Sequence, residues 1–362
     1  MRSTIVALAA SLVLAAGAAP SSAQSTTPRD ADVPHYDHIL VIVEENKGYS
    51  TIIGGADTPQ ITKLAKTYAS ATQMFAETHP SEPNYVAMLG GDTFRIKDDD
   101  PWYCTPGSTQ KGCHASEPGY VAHLVDGPSL ATQLRAKGLA WRAYLEDIPA
   151  PGSLEPVSPA TDSAPASLYA AKHTGFTNFA TVHKDANLAD ELVGFDRLHA
   201  DLKSGSVPAF ALVVPNQCNE MHGIGGPEKP NPKAPADCGN SGQGPLIARG
   251  DAYVAKLIAE IQASPVWTKG NTAIILTWDE DGGKDRVNGK STSCCVTDAH
   301  NPGGGNIPTI VITNHGPRGV TDPTPYNHYS MLRTIEDALG LDGHIRHAAD
   351  VAPMAPLFGP IR

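Results

Sequence analysis

The chain has 362 residues, of which 41% are hydrophobic and 18% charged, with a formal charge of −11. That composition suits an ordinary globular protein with a sizeable core, built as one large α/β domain or two smaller ones. The acidic balance argues against nucleic-acid binding, which needs a basic face.

Met1 to Ala23 has the form of a secretory signal peptide: Arg2, the apolar run Ile5–Ala16, then Ser21-Ser22-Ala23 as a small-residue cleavage site before Gln24. The run is too short to span a bilayer, and no other stretch is long and apolar enough. The sequence therefore predicts a secreted or periplasmic protein with no integral membrane segment and a loose tail over Gln24–Pro34. Six cysteines, all after the signal, suit an oxidising compartment. Cys104 with Cys113 and Cys218 with Cys238 are the preferred pairs. The adjacent Cys294 and Cys295 either bridge each other or pair elsewhere, and other connectivities stay open.

His38–Val43 is a continuous apolar run of strand length, expected to be buried on both faces. It ends in Glu44-Glu45-Asn46-Lys47-Gly48, an oxygen-rich stretch that suits either a hard cation or a solvated turn. Asp57–Ala69 reads as an amphipathic helix, and Met74-Phe75-Ala76 as the end of a second strand. Beyond it, Tyr85, Val86, Met88 and Leu89 have helical apolar spacing, which puts Ser81 where a strand gives way to a helix. At such a junction a serine is either an ordinary cap or a hydroxyl beside a phosphate held by the first N–H groups of the helix. Gly91–Ser129 is loop-like and carries Asp98-Asp99-Asp100-Pro101. Ser129 caps a short helix that Gly138 stops, and Leu139–Leu145 is a strand ending at Glu146-Asp147. Ile148–Ser167 reads as a surface excursion. Ser167–His173 makes a helical turn that leaves Lys172 and His173 near a loop, either on phosphate or simply solvated.

Ala209–Val214 is another buried strand, again followed by a polar cluster, Pro215 to His222, and then by a long Gly/Pro/Asn-rich loop to Gly244. Leu246–Ser264 is a helix with Ala252, Val254, Leu257, Ile258 and Ile261 on its apolar face. Thr272–Trp278 is the clearest strand and delivers Asp279-Glu280-Asp281, whose mutual repulsion a cation would relieve. Ile307–Ile312 is a further strand, with Pro308 marking a start or an edge. Tyr326–Ser330 opens a last helix. Strands alternating with helices, with polar clusters at strand carboxyl ends, predict an α/β fold: a mostly parallel central sheet with helices on both faces, in a single domain over 24–362.

Glu45/Asn46, Ser81, Asp279/Glu280 and the histidines His222 and His328 can then converge on one sheet edge. Oxygen ligands around a hard cation, with a serine among them, make a phosphoryl-transfer site, and carboxylate-plus-amide ligation favours Mg, Ca or Mn. Five motifs in order carry a family resemblance: Val41–Asn46, His79–Tyr85, Pro215–His222, Thr277–Gly283 and His328-Tyr329. Together they resemble the bacterial phosphoesterase family of secreted acid phosphatases and phospholipase C enzymes, within the alkaline-phosphatase-like superfamily. The similarity runs from about Tyr36 to about Leu341, and the compact length is most similar to the small secreted acid phosphatases. The resemblance implies one divalent metal ion held by Glu45, Asn46, Asp279, Glu280 and the nucleophile Ser81. His222 would contact phosphate or move a proton, and Asn84, Lys172, His173 and His328 would lie on the substrate side. Glu220 and Gly223 stand where relatives often carry aspartates. The implied reaction is hydrolysis of a small-molecule or lipid phosphomonoester through a phosphoserine, with an acidic optimum if a histidine must be protonated. A phospholipase C-type diesterase and a non-catalytic phosphate- or cation-binding protein are the competing readings. Sulfatase chemistry is disfavoured, because Tyr85 stands where the formylglycine motif requires an arginine.

Overall fold

The structure, a computed structural model, describes Met1 and residues 33–159, 166–225, 233–239, 243–283, 286–287, 290–297 and 300–360. The signal segment expected over 1–23 lies outside the described residues apart from Met1.

Nine strands form the central sheet. In chain order they are β1 (His38–Glu44), β2 (Ala69–Phe75), β3 (Trp141–Leu145), β4 (Leu192–Val193), β5 (Phe210–Val214), β6 (Thr272–Trp278), β7 (Asn306–Thr313), β8 (Val320–Asp322) and β9 (Tyr326–Asn327). Their order across the sheet is β8-β2-β7-β6-β1-β5-β3-β4, and β9 also pairs with β2. Every pairing is parallel except those of β7, which runs antiparallel to both β2 and β6. The eight other strands therefore point the same way, and their carboxyl ends share one edge.

The sequence explains the centre of this sheet. β1, β5 and β6 are runs of Ile, Leu, Val and Ala buried on both faces, as parallel strands covered on two sides must be. Pro308 sits within β7, in the sheet interior, at a register shift between Ile307 and Thr309. It is not at an edge; the irregularity removes the need for the N–H that proline lacks.

The longer helices are α1 (Pro59–Thr67), α2 (Ser81–Gly90), α3 (Leu130–Lys137), α4 (Phe195–Ser204), α5 (Gln243–Ala263) and α6 (His328–Ala338). A capping box between Ser129 and Thr132 starts α3, and Gly138, in the left-handed region, ends it. Asn327 caps α6 by accepting the Ser330 N–H at 3.0 Å. α2 differs from the one-faced helix its spacing suggests: all ten of its residues are buried. A helix enclosed on every side is a rigid mount, and its first residue is Ser81.

Three disulfides are present: Cys104–Cys113, Cys218–Cys238 and the vicinal Cys294–Cys295. No helix among the described residues is long and apolar enough to cross a membrane.

Candidate active site

The carboxyl edge of the sheet gathers the acidic groups. Glu45 and Asn46 follow β1, Ser81 opens α2 beyond β2, Glu220 and His222 follow β5, and Asp279 and Glu280 follow β6. Two main-chain bonds lock these loops together: Glu45 N–H donates to Glu220 O at 2.7 Å, and Asp279 N–H to Glu44 O at 3.1 Å. Asn46 takes a left-handed conformation (φ 57°), which turns its N–H onto Asp279 Oδ1 at 2.9 Å. Gly282 lies against that turn, and a Cβ on it would come within 2.5 Å of Asn46 O.

Glu45 Oε2 is the hub. It accepts from Asn46 Nδ2 at 2.5 Å and from Ser81 Oγ at 3.1 Å. Pro80 occupies the cap position of α2, so Ser81 is its first helical residue rather than its cap, and the hydroxyl is left to face Glu45. His173 Nε2 approaches Glu45 Oε1 at 3.0 Å, and His173 Nδ1 approaches Glu220 Oε1 at 2.7 Å. The tilted ring of His222 lies 5.2 Å from that of His173. Its Nδ1 faces Gly223 O at 2.6 Å, and because a carbonyl only accepts, the proton is on Nδ1 and Nε2 keeps its lone pair. Burial, with the nearby Lys172 and His173 charges, pushes the His222 pKa well below the ordinary imidazole value.

Crowded carboxylates give this edge its character. Burial raises Glu45 to about 8, with Glu280 adding to the rise. Burial and Glu45 together push Asp279 well above the ordinary range, and burial raises Glu220 and Glu280 to about 7. Among the described residues Asp279 Oδ2 is buried without a hydrogen-bond partner, and buried Glu45 Oε1 has only the His173 ring beside it. Buried oxygens of this kind call for a positive partner. A hard divalent cation fits: the donors are carboxylate, amide and hydroxyl oxygens, and it would reverse the repulsion that raises these carboxyls. Among the described residues, Glu45, His173 and His222 also place a ligand atom each within 4.8 Å of one another.

Other predicted residues are placed differently. Glu280 reaches the same edge, but its Oε2 pairs with His79 Nδ1 at 2.6 Å. Lys172 and His173 are not solvated: Lys172 Nζ donates to Asp99 Oδ2 at 2.8 Å, and His173 is fully enclosed. Burial works to lower the Lys172 pKa, but Asp99 and Glu45 outweigh it and the net shift is upward. Asn84 does not face substrate. Its Oδ1 accepts the N–H groups of Glu77 and Thr78, and its Nδ2 donates to Thr78 O and Pro80 O, so the amide builds the turn ahead of Ser81. His328 is likewise internal: Nδ1 meets Glu77 Oε2 at 2.5 Å and Nε2 meets Trp278 O at 3.0 Å, which leaves no ring nitrogen for phosphate.

Sequence reasoning missed His79 and Asp99. His79 adjoins Pro80-Ser81, and its position in that motif was the available signal. Asp99 lay in an acidic loop with nothing to mark it, yet it accepts the Glu82 N–H at 3.0 Å, one residue from Ser81.

A profile of the Phosphoesterase family matches residues 54–342. The chain is 28% identical over 328 residues to a phosphatidylinositol-3-phosphatase of Mycobacterium tuberculosis, covering 90% of this chain and 84% of that protein. It is 26% identical over 355 residues to a phosphate-repressible acid phosphatase of Penicillium chrysogenum, covering 94% and 71%. The fold is similar to that of an alkaline phosphatase superfamily protein from Vibrio parahaemolyticus, with a TM-score of 0.50 at 15% identity over 90% of this chain and 73% of that one. The buried oxygen cluster around Ser81 thus belongs to a member of the Phosphoesterase family, a hydrolase of phosphoric esters.

Proposed function

We propose that the chain is a secreted, metal-dependent acid phosphatase that hydrolyses phosphate monoesters through a phosphoserine on Ser81. The observation that carries this reading is the Ser81 Oγ bond to Glu45 Oε2, at the start of a buried helix and beside Asp279 Oδ2, a buried carboxylate oxygen with no hydrogen-bond partner among the described residues. The relatives named as acid phosphatases support it, and the three disulfides support export. Residues 24–362 form its single catalytic domain in this reading.

Glu45, Asn46, Ser81 and Asp279, with Glu280 at the rim, would hold one Mg, Ca or Mn ion. Such an ion neutralises phosphate charge and lowers the pKa of a bound hydroxyl. Glu45 Oε2 orients the Ser81 hydroxyl by accepting its hydrogen bond, which aims an Oγ lone pair outward. Ser81 Oγ gives its proton to Glu45 Oε2 and forms a bond to phosphorus as the ester P–O bond breaks, and the departing oxygen takes up a proton so that the alcohol leaves neutral. Water then attacks the phosphoserine, and Oγ leaves with the return of a proton. The unprotonated Nε2 of His222 accepts the water proton in that second step. Lys172, braced by Asp99, supplies fixed positive charge for the phosphoryl oxygens. With the His222 pKa pushed down, the acidic optimum does not come from a protonated His222.

The test is hydrolysis of an aryl phosphate monoester by wild type and Ser81→Ala, with a chelator and then metal add-back. We expect the variant to lose about 10³-fold or more in kcat and chelation to abolish turnover reversibly. A fully active Ser81→Ala would remove the nucleophile. An aryl phosphate diester assayed in parallel separates the diesterase reading.

A further inference from the structure

A cleft of about 840 Å³ opens beside the reaction site. Pro80, Glu82 and Lys172 are among the residues that line it, together with Trp102, Tyr103 and Val157. That volume is many times what a phosphate group needs and matches the size of small-molecule sites. Because part of the lining is formed by the neighbours of Ser81 and by Lys172, an ester held there with its phosphorus at Ser81 extends its alcohol into the cleft.

The walls describe that alcohol. Trp102 Nε1 donates to Leu154 O at 2.8 Å, and Tyr103 OH donates to Lys111 O at 3.0 Å. The polar ends of both aromatics are thus taken by the protein's own main chain, and what they can offer a ligand is ring surface. The rings meet edge to face, 5.5 Å apart, and His183 packs on Trp102 from another side at 4.4 Å. The Cys104–Cys113 bridge anchors the adjoining loop, so the aromatic wall is preformed. Glu82, also in the lining, is 1% exposed; its Oε1 accepts from Asn178 and faces His123 Nδ1 at 3.1 Å, while its Oε2 has no hydrogen-bond partner among the described residues. A buried carboxylate oxygen without a donor suits a hydroxyl close to the phosphate. The lining also carries Glu82, Asp98, Asp99, Asp100 and Glu117 against three lysines and His114. Each acid has a cationic neighbour: Asp99 has Lys172, Asp100 has His114, Glu82 and Asp98 share His123, and Glu117 lies 4.0 Å from Lys97, so the walls offer no net attraction to a second phosphate on the alcohol.

We propose that this cleft is the leaving-group site. It selects monoesters of an alcohol that carries a hydroxyl near the phosphate and a flat ring beyond it, and it gives no advantage to alcohols that bear a second phosphate. A nucleoside 5′-monophosphate is the probe. The proposal rests on the hydrolase reading above.

The experiment compares kcat/KM of the metal-loaded full chain for adenosine 5′-monophosphate, adenosine 3′,5′-bisphosphate and ethyl phosphate. We expect the monophosphate to exceed ethyl phosphate by about tenfold, largely through KM, since stacking on an aromatic is worth that much or more, and the bisphosphate not to exceed the monophosphate. Trp102→Ala should lower kcat/KM for the monophosphate about tenfold and leave ethyl phosphate unchanged, while Trp102→Phe keeps most of the selectivity. Glu117→Lys, at an exposed position, should improve the bisphosphate selectively. Equal kcat/KM for the monophosphate and ethyl phosphate, or equal losses on both in Trp102→Ala, would overturn the proposal. Adenosine alone, titrated by calorimetry, gives a readout independent of turnover: binding that Trp102→Ala abolishes supports the cleft, and no binding overturns it. A wild type that cleaves none of the three esters yet binds adenosine would overturn the leaving-group assignment together with the phosphomonoesterase reading and leave the cleft only as an adenosine-binding site.

Discussion

Asp99 uses both carboxylate oxygens beside Ser81: Oδ1 takes the Glu82 N–H and Oδ2 the Lys172 ammonium. It remains ionised because Lys172 outweighs the upward pull of burial on its pKa. One side chain therefore fixes the first turn under Ser81 and the charge beside it. Asp99→Asn keeps the shape and removes the charge. We expect kcat/KM on an aryl phosphate to fall about tenfold to a hundredfold, the range of a hydrogen bond to a charged group, with the melting temperature nearly unchanged. A variant with wild-type kinetics would deny Asp99 this role. At this scale the sequence was only half legible. Glu45, Ser81 and Asp279 were readable because each follows or adjoins a buried strand, where chain direction alone puts polar groups on one edge. Asn84 and His328 share motifs with those residues, and motif membership does not say which way a side chain turns. The structure uses both to build the frame, since buried N–H and C=O groups beside the site need partners.

The elements were more legible than their burial. β1, β5 and β6 stand out because continuous β-branched runs have few other uses. The enclosure of α2 and of the Lys172-His173 turn depends on what the remote segments bring over them, which periodicity does not encode. α6 carries a similar hidden feature. Its Glu336 is fully buried; Oε1 accepts the Ile345 N–H at 2.9 Å and Oε2 has no hydrogen-bond partner. Burial lifts its pKa to about 8 against the pull of that bond. A carboxyl whose folded pKa is raised contributes stability that is full below its unfolded value of about 4.5 and is lost as pH rises through about 8. Glu336→Gln should therefore match wild type near pH 5 and exceed it above pH 8. Between those limits the two stabilities diverge by up to about 1.4 kcal/mol per pH unit. Parallel denaturant curves at each pH check this, and a difference that does not vary with pH would refute it.

Across the whole molecule, one sheet edge concentrates carboxylates in a chain that is already acidic, and the core holds them close together. Glu45, Asp279, Glu220 and Glu280 are all buried, and each has a pKa raised by burial. Such an arrangement opposes folding unless something binds the folded state, and only the folded state assembles the cluster. Cation binding then shifts the folding equilibrium by mass action: at a hundredfold excess over Kd it contributes about 2.7 kcal/mol. For a chain of this length that is a rise in melting temperature of about 4 °C. We expect a chelator to lower the melting temperature by this amount and Mg, Ca or Mn to restore it. In Glu45→Gln the cation response should shrink, because the hub loses its charge while its shape is kept. Ser81→Ala should retain most of the response, since the carboxylates supply most of the attraction. This ordering separates a binding site from a nucleophile without any assay of turnover. A wild type whose melting temperature ignores both chelator and cation would show that the buried oxygens are satisfied in another way, and the metal would have to be withdrawn from the mechanism.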